Sequence, residues 1–558
     1  MQHRTFLPLA AGAAMLATAC GGPAAGPAPQ LPTPVLTAAA QPAFIETVDS
    51  ITTTPPLDRT AWGIEVYDLD AHRPLFQLNA HKHFVPASNT KLVVTTVSMG
   101  ELGPDWRYHT PVYAILDPAA DTVARTLVLV GRGDPSFSGR FNPSEFAVAD
   151  SLADSVAVAG IRRIGRIAID ASYFEPQGFN PSWEAGDEPW YYAAPVRGAE
   201  AGEGAVAVVV TPGRRPGDAA SVDVLAPGGA LVVLDSIVSD TAGNGRDLDF
   251  ERRFGSDTVR ISGTIAVDQS PDTSWIAVAD PARYLGLQLR AALDSVGIMA
   301  DSLDVVTDSA VSAALLPVQP TPLCDGPCSS IESCRVDPRT RRQEVPDTTC
   351  VTLPDPRAVD TWPDTVRLPD GAVAVRVATW ASPPLADMVG GLLKPSQNWI
   401  AETLLKTLGA RMQGEGSWTA GIRAEYHYLF DVVGIDSAAV YLRDGSGLSA
   451  QNLVTPNAVV QLLRFVDRQP WGSVYRQDMA EPGQQGTLEH RLVALEGRLH
   501  AKTGTIRHVN ALSGYLTADD GRRLAFSILT NASGIPSGDV RAAIDGIVEA
   551  MTTIRSAP

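Results

Sequence analysis

The chain has 558 residues, 45% of them hydrophobic and 19% charged. That length and apolar content predict more than one domain around a substantial buried core. A formal net charge of −18 excludes a general nucleic-acid binder, because phosphate backbones require a basic surface.

The N-terminus carries Arg4 and then an apolar run, FLPLAAGAAMLATA, over residues 6–19. This run has the length of a signal-peptide core and is too short to span a bilayer. Ala17-Thr18-Ala19 forms an A-x-A cleavage site, so residues 1–19 read as a signal peptide. Cys20 follows at once, and LATAC resembles a bacterial lipobox. Lipid attachment at Cys20, which would anchor the chain to a membrane, and plain secretion are the two fates this pattern allows. Residues 20–41 are rich in Pro, Ala and Gly and read as a tether. Both fates place the protein in the periplasm or cell envelope.

Residues 61–69 and 74–79 predict two strands around a turn at Asp70-Ala71-His72. Residues 89–102 predict a helix behind Pro86-Ala87-Ser88. Residues 124–131, 164–170, 205–212, 222–235 and 257–266 are strand-like, and 281–297 helical. Residues 318–370 are rich in Pro, Asp and Cys and have little periodicity. There Cys324, Cys328, Cys334 and Cys350 form an even set, which in an exported chain favours two disulfides over a zinc site. Residues 399–412 predict a helix, 498–505, 509–517 and 522–531 three strands, and 537–556 a closing helix. Two strands at the start and three at the end predict one antiparallel sheet with helices on its faces, interrupted by inserted β-rich domains. The fold class is therefore α+β. The expected division is a discontinuous catalytic domain built from 42–110 and 381–558, an inserted domain at 111–205 and 267–380, and a second inserted domain at 206–266.

Three short motifs carry candidate chemistry. Ser88-Asn89-Thr90-Lys91 is an S-x-x-K, which on a helix places an amine one turn from a hydroxyl. Burial would lower the lysine pKa and let it act as a base. Ser396-Gln397-Asn398 is an S-x-N before a helical run, able to relay a proton and hold a carbonyl. Lys502-Thr503-Gly504-Thr505 lies on a predicted strand. Lys502, Thr503 and Thr505 can hold a carboxylate, while Gly504 permits close backbone approach. Each motif alone fits an ordinary helix cap or strand end. Together and in this order they match the serine acyl-transfer sets built on S-x-x-K, S-D-N and K-T-G.

These motifs and their flanks resemble the D-alanyl-D-alanine carboxypeptidase/endopeptidase family, the low-molecular-mass class C penicillin-binding proteins. The flanks are PASNTKLVVTT with ELGPDWRYHTPVY, GRGDPSF at 131–137, DASYF at 170–174, YYAAPV at 191–196, DGSGLS at 444–449 and GTLEHR at 486–491. Ser396 follows Ser88 by 308 residues, and a long insertion between these motifs marks the family. The resemblance implies a penicillin-binding, β-lactamase-like transpeptidase fold. It implies that Ser88 forms an acyl-enzyme, Lys91 takes its proton, Ser396 passes a proton to the leaving amine and Asn398 binds substrate and steadies Lys91. Lys502, Thr503 and Thr505 would hold the terminal carboxylate, and the Ser88 and Thr505 N–H groups the oxyanion. The expected partners are peptidoglycan stem peptides and β-lactams, with no cofactor and no metal. The balance of carboxypeptidase and endopeptidase action stays open. A β-lactamase or esterase, or a silent penicillin-sensing module, are the rival readings.

The pattern departs at three places. Ala450 stands where a basic residue is common, Arg197-Gly198-Ala199 and EAGEG (200–204) replace an asparagine-bearing stretch, and 318–370 is long. Arg132-Gly133-Asp134 reads as a turn, His81-Lys82-His83 as a solvated turn, and Tyr426, Tyr428 and Phe430 as core.

Overall fold

The computed structural model describes residues 42–315, 355–358 and 360–554. The signal peptide, Cys20, the tether and all four clustered cysteines lie outside the described residues. None of the helices among the described residues is long and apolar enough to cross a membrane.

The predicted terminal strands form one five-stranded antiparallel sheet. Its order is Leu499–Ile506, Val509–Thr517, Arg523–Asn531, Ala61–Asp68, Arg73–Leu78. Ala61 pairs with Asn531 and Asp68 with Leu524, so the start and end of the chain zip together in unbroken register. Seven of the eight residues of Ala61–Asp68 are buried, because both faces of the sheet are covered. One face packs Ile64, Val66, Phe526 and Ile528 against the helices Pro42–Thr53 and Ser537–Met551. The other packs Tyr67, Tyr515 and Leu529 against Lys91–Glu101 and Pro456–Asp467. Each such fully buried side chain contributes roughly 1.5–3 kcal/mol. A sheet closed by strands from both chain ends therefore makes a rigid platform for the three motifs.

The inserted region contains a six-stranded mixed sheet ordered Met299–Val306, Arg163–Asp170, Ala120–Val130, His109–Asp117, Val373–Ala381, Thr365–Arg367. Its first three strands run parallel, and the helices Ala147–Val158 and Pro281–Ser295 cover one face. Two three-stranded sheets follow the pattern predicted near 205–266 and extend it. One is Asp272–Ala277, Ala205–Thr211, Ser221–Leu225; the other is Val232–Asp240, Thr258–Ala266, Arg246–Arg252. They share a core of Val206, Val208, Ile237, Ile261 and Ile265.

Arg132-Gly133-Asp134, read from sequence as a turn, is irregular backbone with Gly133 at φ 68°, and the turn begins at Pro135. Arg132 and Asp134 are both buried, and the Arg132 guanidinium sits 3.9 Å from the Tyr173 ring centroid. His83 meets the Ala438 carbonyl at 2.8 Å. Tyr428 and Phe430 are buried, and Tyr426 stacks on Phe430 with centroids 5.2 Å apart.

Candidate active site

Ser88 lies in a 3-10 turn, Ala87–Thr90, and the α-helix proper begins at Lys91. The tight turn still places Lys91 beneath the serine. Ala87 is held at φ 47°, a left-handed conformation that costs a residue with a Cβ about 1 kcal/mol or more. Gly447 fixes it from the other side. A Cβ at Gly447 would stand 1.9 Å from the Ala87 carbonyl oxygen, and Gly447 is itself at φ 80°. Ser396, the first residue of the S-x-N motif, is likewise strained, at φ 67°. Such strain persists where the surrounding packing dictates it, typically at functional sites.

The three motifs converge as the sequence predicts. Lys91 is fully buried, and its Nζ donates to Ser88 Oγ at 2.9 Å, Asn398 Oδ1 at 2.6 Å and the Ser446 carbonyl at 2.6 Å. An ammonium has three protons and uses all of them here. In the neutral amine, two N–H groups suffice for Asn398 and Ser446. The lone pair must then face the Ser88 hydroxyl, which is the geometry of a general base. Burial lowers the Lys91 pKa to about 7, against the nearby charges of Asp444 and Glu402, which raise it.

Asn398 is fixed in turn: its Nδ2 donates to the Tyr192 carbonyl at 2.7 Å. Gln397 caps the helix Asn398–Gln413 by accepting from the Trp399 N–H at 2.9 Å. The cap is therefore Gln397, leaving the Ser396 hydroxyl available to the site. Lys502 Nζ donates to Ser396 Oγ at 2.7 Å and to the Thr503 carbonyl at 2.9 Å. Burial, and then the neighbouring Lys91, hold the Lys502 pKa well below the ordinary lysine value. The hydroxyls of Thr503 and Thr487 lie 2.8 Å apart.

Lys502–Thr505 lies on an edge strand, paired along its length with Val509–Thr517 and bridged on its other side only at Ala501, by Ala480, among the described residues. Its free edge offers backbone N–H and C=O groups to an extended peptide. Gly504 also serves the fold. A Cβ there would approach the Pro86 carbonyl oxygen and Asn89 Nδ2 to 2.9 Å, so its first task is to admit the Ser88 turn.

Several residues escape the motif reading. Glu402 follows Asn398 by one helical turn and accepts from the Ser446 N–H at 2.7 Å and the Gly445 N–H at 3.2 Å. Asp444 accepts from the N–H groups of Gly447 and Ser449, from Asn452 Nδ2 and from Trp183 Nε1. The spacing of Glu402 from Asn398 was the available signal, since residues four apart share a helix face. The departing stretch at 200–204 also has a place. Glu200 is buried and accepts from Trp399 Nε1 at 2.9 Å, Thr403 Oγ1 at 2.7 Å and the Arg197 N–H at 3.0 Å. Burial pushes its pKa to about 8. It ties the inserted region to the helix that carries Asn398.

A serine under a buried lysine, a second serine under a second buried lysine, and an edge strand beside both define a serine-type peptidase of the penicillin-binding class. Residues 44–326 and 360–552 match the D-Ala-D-Ala carboxypeptidase 3 (S13) family, and the chain belongs to that family. It is 29% identical over 506 residues to the D-alanyl-D-alanine carboxypeptidase of Actinomadura sp. (strain R39), covering 88% of this chain and 81% of that protein. It is 21% identical over 528 residues to the penicillin-sensitive carboxypeptidase A of Dictyostelium discoideum, covering 88% and 87%. The fold is shared with penicillin binding protein 4 (dacB) from Haemophilus influenzae. The TM-score is 0.69 and the identity 18%, over 90% of this chain and 99% of that one.

Proposed function

We propose that this protein hydrolyses the D-alanyl-D-alanine bond of peptidoglycan stem peptides through an acyl-enzyme on Ser88. The supporting observation is the three-way hold on Lys91 Nζ, which aims the lone pair of its neutral form at Ser88 Oγ.

Ser88 Oγ adds to the carbonyl carbon between the two D-alanines as its proton passes to Lys91. The oxyanion is held by the N–H groups of Ser88 and Thr505. Lys502, Thr503 and Thr505 hold the terminal carboxylate by charge and hydroxyl donors. The tetrahedral carbon then expels the D-alanine nitrogen, which takes a proton relayed through Ser396. Asn398 holds the acyl-side amide. Water attacks the ester, restoring Ser88 and releasing the shortened peptide. A β-lactam acylates the same serine, and its ring-opened amine stays tethered in the site. The relatives named for carboxypeptidase action and penicillin sensitivity support this reading over a β-lactamase or esterase.

Residues 42–110 and 381–558 form the catalytic domain in this proposal, and the segments between them the inserted domains. Export by residues 1–19, lipidation at Cys20 and disulfides among Cys324, Cys328, Cys334 and Cys350 belong to the same reading, which puts the enzyme at the cell wall.

D-Alanine released from a pentapeptide ending in D-Ala-D-Ala tests the reaction. Steady release, abolished in Ser88→Ala, is expected. Rapid penicillin turnover without D-alanine release would overturn it.

A further inference from the structure

Both acceptors that orient the Lys91 amine have supports of their own. Asn398 is held by the Tyr192 carbonyl, and the Ser446 turn by Glu402. One step further back, the two supports meet at a single residue, Lys406. Asn398, Glu402 and Lys406 follow one another at intervals of four on the helix Asn398–Gln413, so they share a face. Lys406 is fully buried. Its Nζ donates to the Gln177 carbonyl at 2.9 Å and to the Val196 carbonyl at 3.3 Å, and lies 3.5 Å from Glu175 Oε1. The same nitrogen stands 3.5 Å from the centroid of the Trp418 ring.

The first route runs through the inserted region. Val196 closes the segment that carries Tyr192, and its N–H donates to the Gly178 carbonyl at 2.8 Å. Lys406 therefore ties two stretches, 175–178 and 192–196, onto the helix of Asn398. A side-chain amide can sit either way round, and only one way presents Oδ1 of Asn398 to Lys91. The Tyr192 carbonyl selects that way by accepting from Nδ2. If the segment shifted, the amide could turn and set donor against donor.

The second route runs through an indole. Trp418 Nε1 donates to Glu402 Oε2 at 2.8 Å. The Lys406 ammonium over the ring face holds that indole by a cation–π contact, which is strongest when desolvated. Burial lowers the Lys406 pKa to about 8, against Glu175 and Glu200, so the cation persists at neutral pH. A buried charge is costly, and apolar packing of similar volume stabilises a core as well or better. An apolar side chain, however, could not hold two carbonyls and an indole at once. We propose that Lys406 is the positioning residue shared by both holds on Lys91, setting the Asn398 amide through Val196 and Tyr192, and the Ser446 carbonyl through Trp418 and Glu402. The inference rests on the reaction proposed above and adds to it a residue remote from the substrate.

The test measures kcat and KM on a pentapeptide ending in D-Ala-D-Ala, and the rate of penicillin acylation. It uses the full enzyme, Lys406→Met, Lys406→Arg and Trp418→Phe, each assayed below its own melting transition. Lys406→Met keeps the side-chain length and loses every donor. It is expected to lower kcat and the acylation rate together by about tenfold or more, as misplacement near the chemistry does, with KM little changed. Trp418→Phe keeps a ring face for the cation and loses the donor to Glu402, so a smaller loss in the same two rates is expected. Lys406→Arg keeps the cation and should recover part of kcat. A folded Lys406→Met with natural kcat and acylation overturns the proposal and leaves Lys406 a packing residue. So does a loss confined to KM, or a Lys406→Arg as slow as Lys406→Met. If Lys406→Met does not fold, Trp418→Phe decides, and natural rates there overturn the proposal. An unmodified enzyme that releases no D-alanine overturns the reaction, and the role of Lys406 falls with it. In an enzyme that does release D-alanine, the failures above concern Lys406 alone.

Discussion

Lys91 Nζ stands 2.6 Å from the backbone carbonyl of Ser446, and that turn is itself held from behind by Glu402. The carboxylate of Glu402 accepts from the N–H groups of Ser446 and Gly445 and from Trp418 Nε1. Lys91, the base of the proposed reaction, is thus aimed by a residue that touches neither Ser88 nor Lys502. Burial, and then Asp444, raise the Glu402 pKa to about 7.

The acylation rate should follow the ionisation of Lys91. Only the neutral amine can take the Ser88 proton, so the rate rises with pH through about 7, the value to which burial lowers this lysine. Asp444 and Glu402 oppose that lowering. A profile of labelled-penicillin acylation from pH 5 to 9 checks this; a rate falling across that range contradicts it.

Glu402→Gln should weaken the site in a recognisable way. It turns an amide N–H₂ toward backbone donors, which should slow acylation roughly tenfold or more. It also removes an anion that raises the Lys91 pKa, so the acid limb should move to lower pH. The same pH series reads both effects. A slower enzyme with an unmoved limb would make Glu402 a packing residue only.

Gly447→Ala should be far worse than its size suggests. Its Cβ would meet the Ala87 carbonyl at 1.9 Å, and the residue is at φ 80°. The Ser88 turn must move, so penicillin acylation should fall at least tenfold, a loss typical of misplacement near the chemistry. Acylation kinetics with a thermal melt separate this from global unfolding.

Glu425 offers a prediction about stability. Its carboxyl is fully buried, both oxygens lack a hydrogen-bond partner among the described residues, and burial and then Glu402 and Asp444 push its pKa well up. The folded state holds it protonated while the unfolded chain releases the proton above about pH 4.5. Its contribution is therefore favourable at acid pH and lost as pH rises toward the folded pKa. Glu425→Gln mimics the neutral acid, so the variant should gain on the natural protein as pH rises from 5 to 8. Melting curves at both pH values measure it; an equal difference at the two would contradict it.

The motifs were legible because S-x-x-K, S-x-N and K-T-G each encode contact in a short span. The strand at 61–69 was legible from its alternation, and those at 509–517 and 522–531 from apolar stretches separated by a tight turn. Arg246–Arg252 was not, since RDLDFER has only Leu248 and Phe250 to bury on a half-exposed sheet. Ser446 and Tyr192 act through backbone carbonyls, which any residue supplies, so no side-chain pattern announces them. Lys406 and Val196 lie 210 residues apart and meet only through the inserted fold.

The central claim is that Ser88 is the acylated residue. Purified protein treated with a labelled penicillin, digested and mapped by mass spectrometry should carry one adduct, on the peptide holding Ser88, and Ser88→Ala should carry none. Label on another residue, or full labelling of Ser88→Ala, would contradict the account.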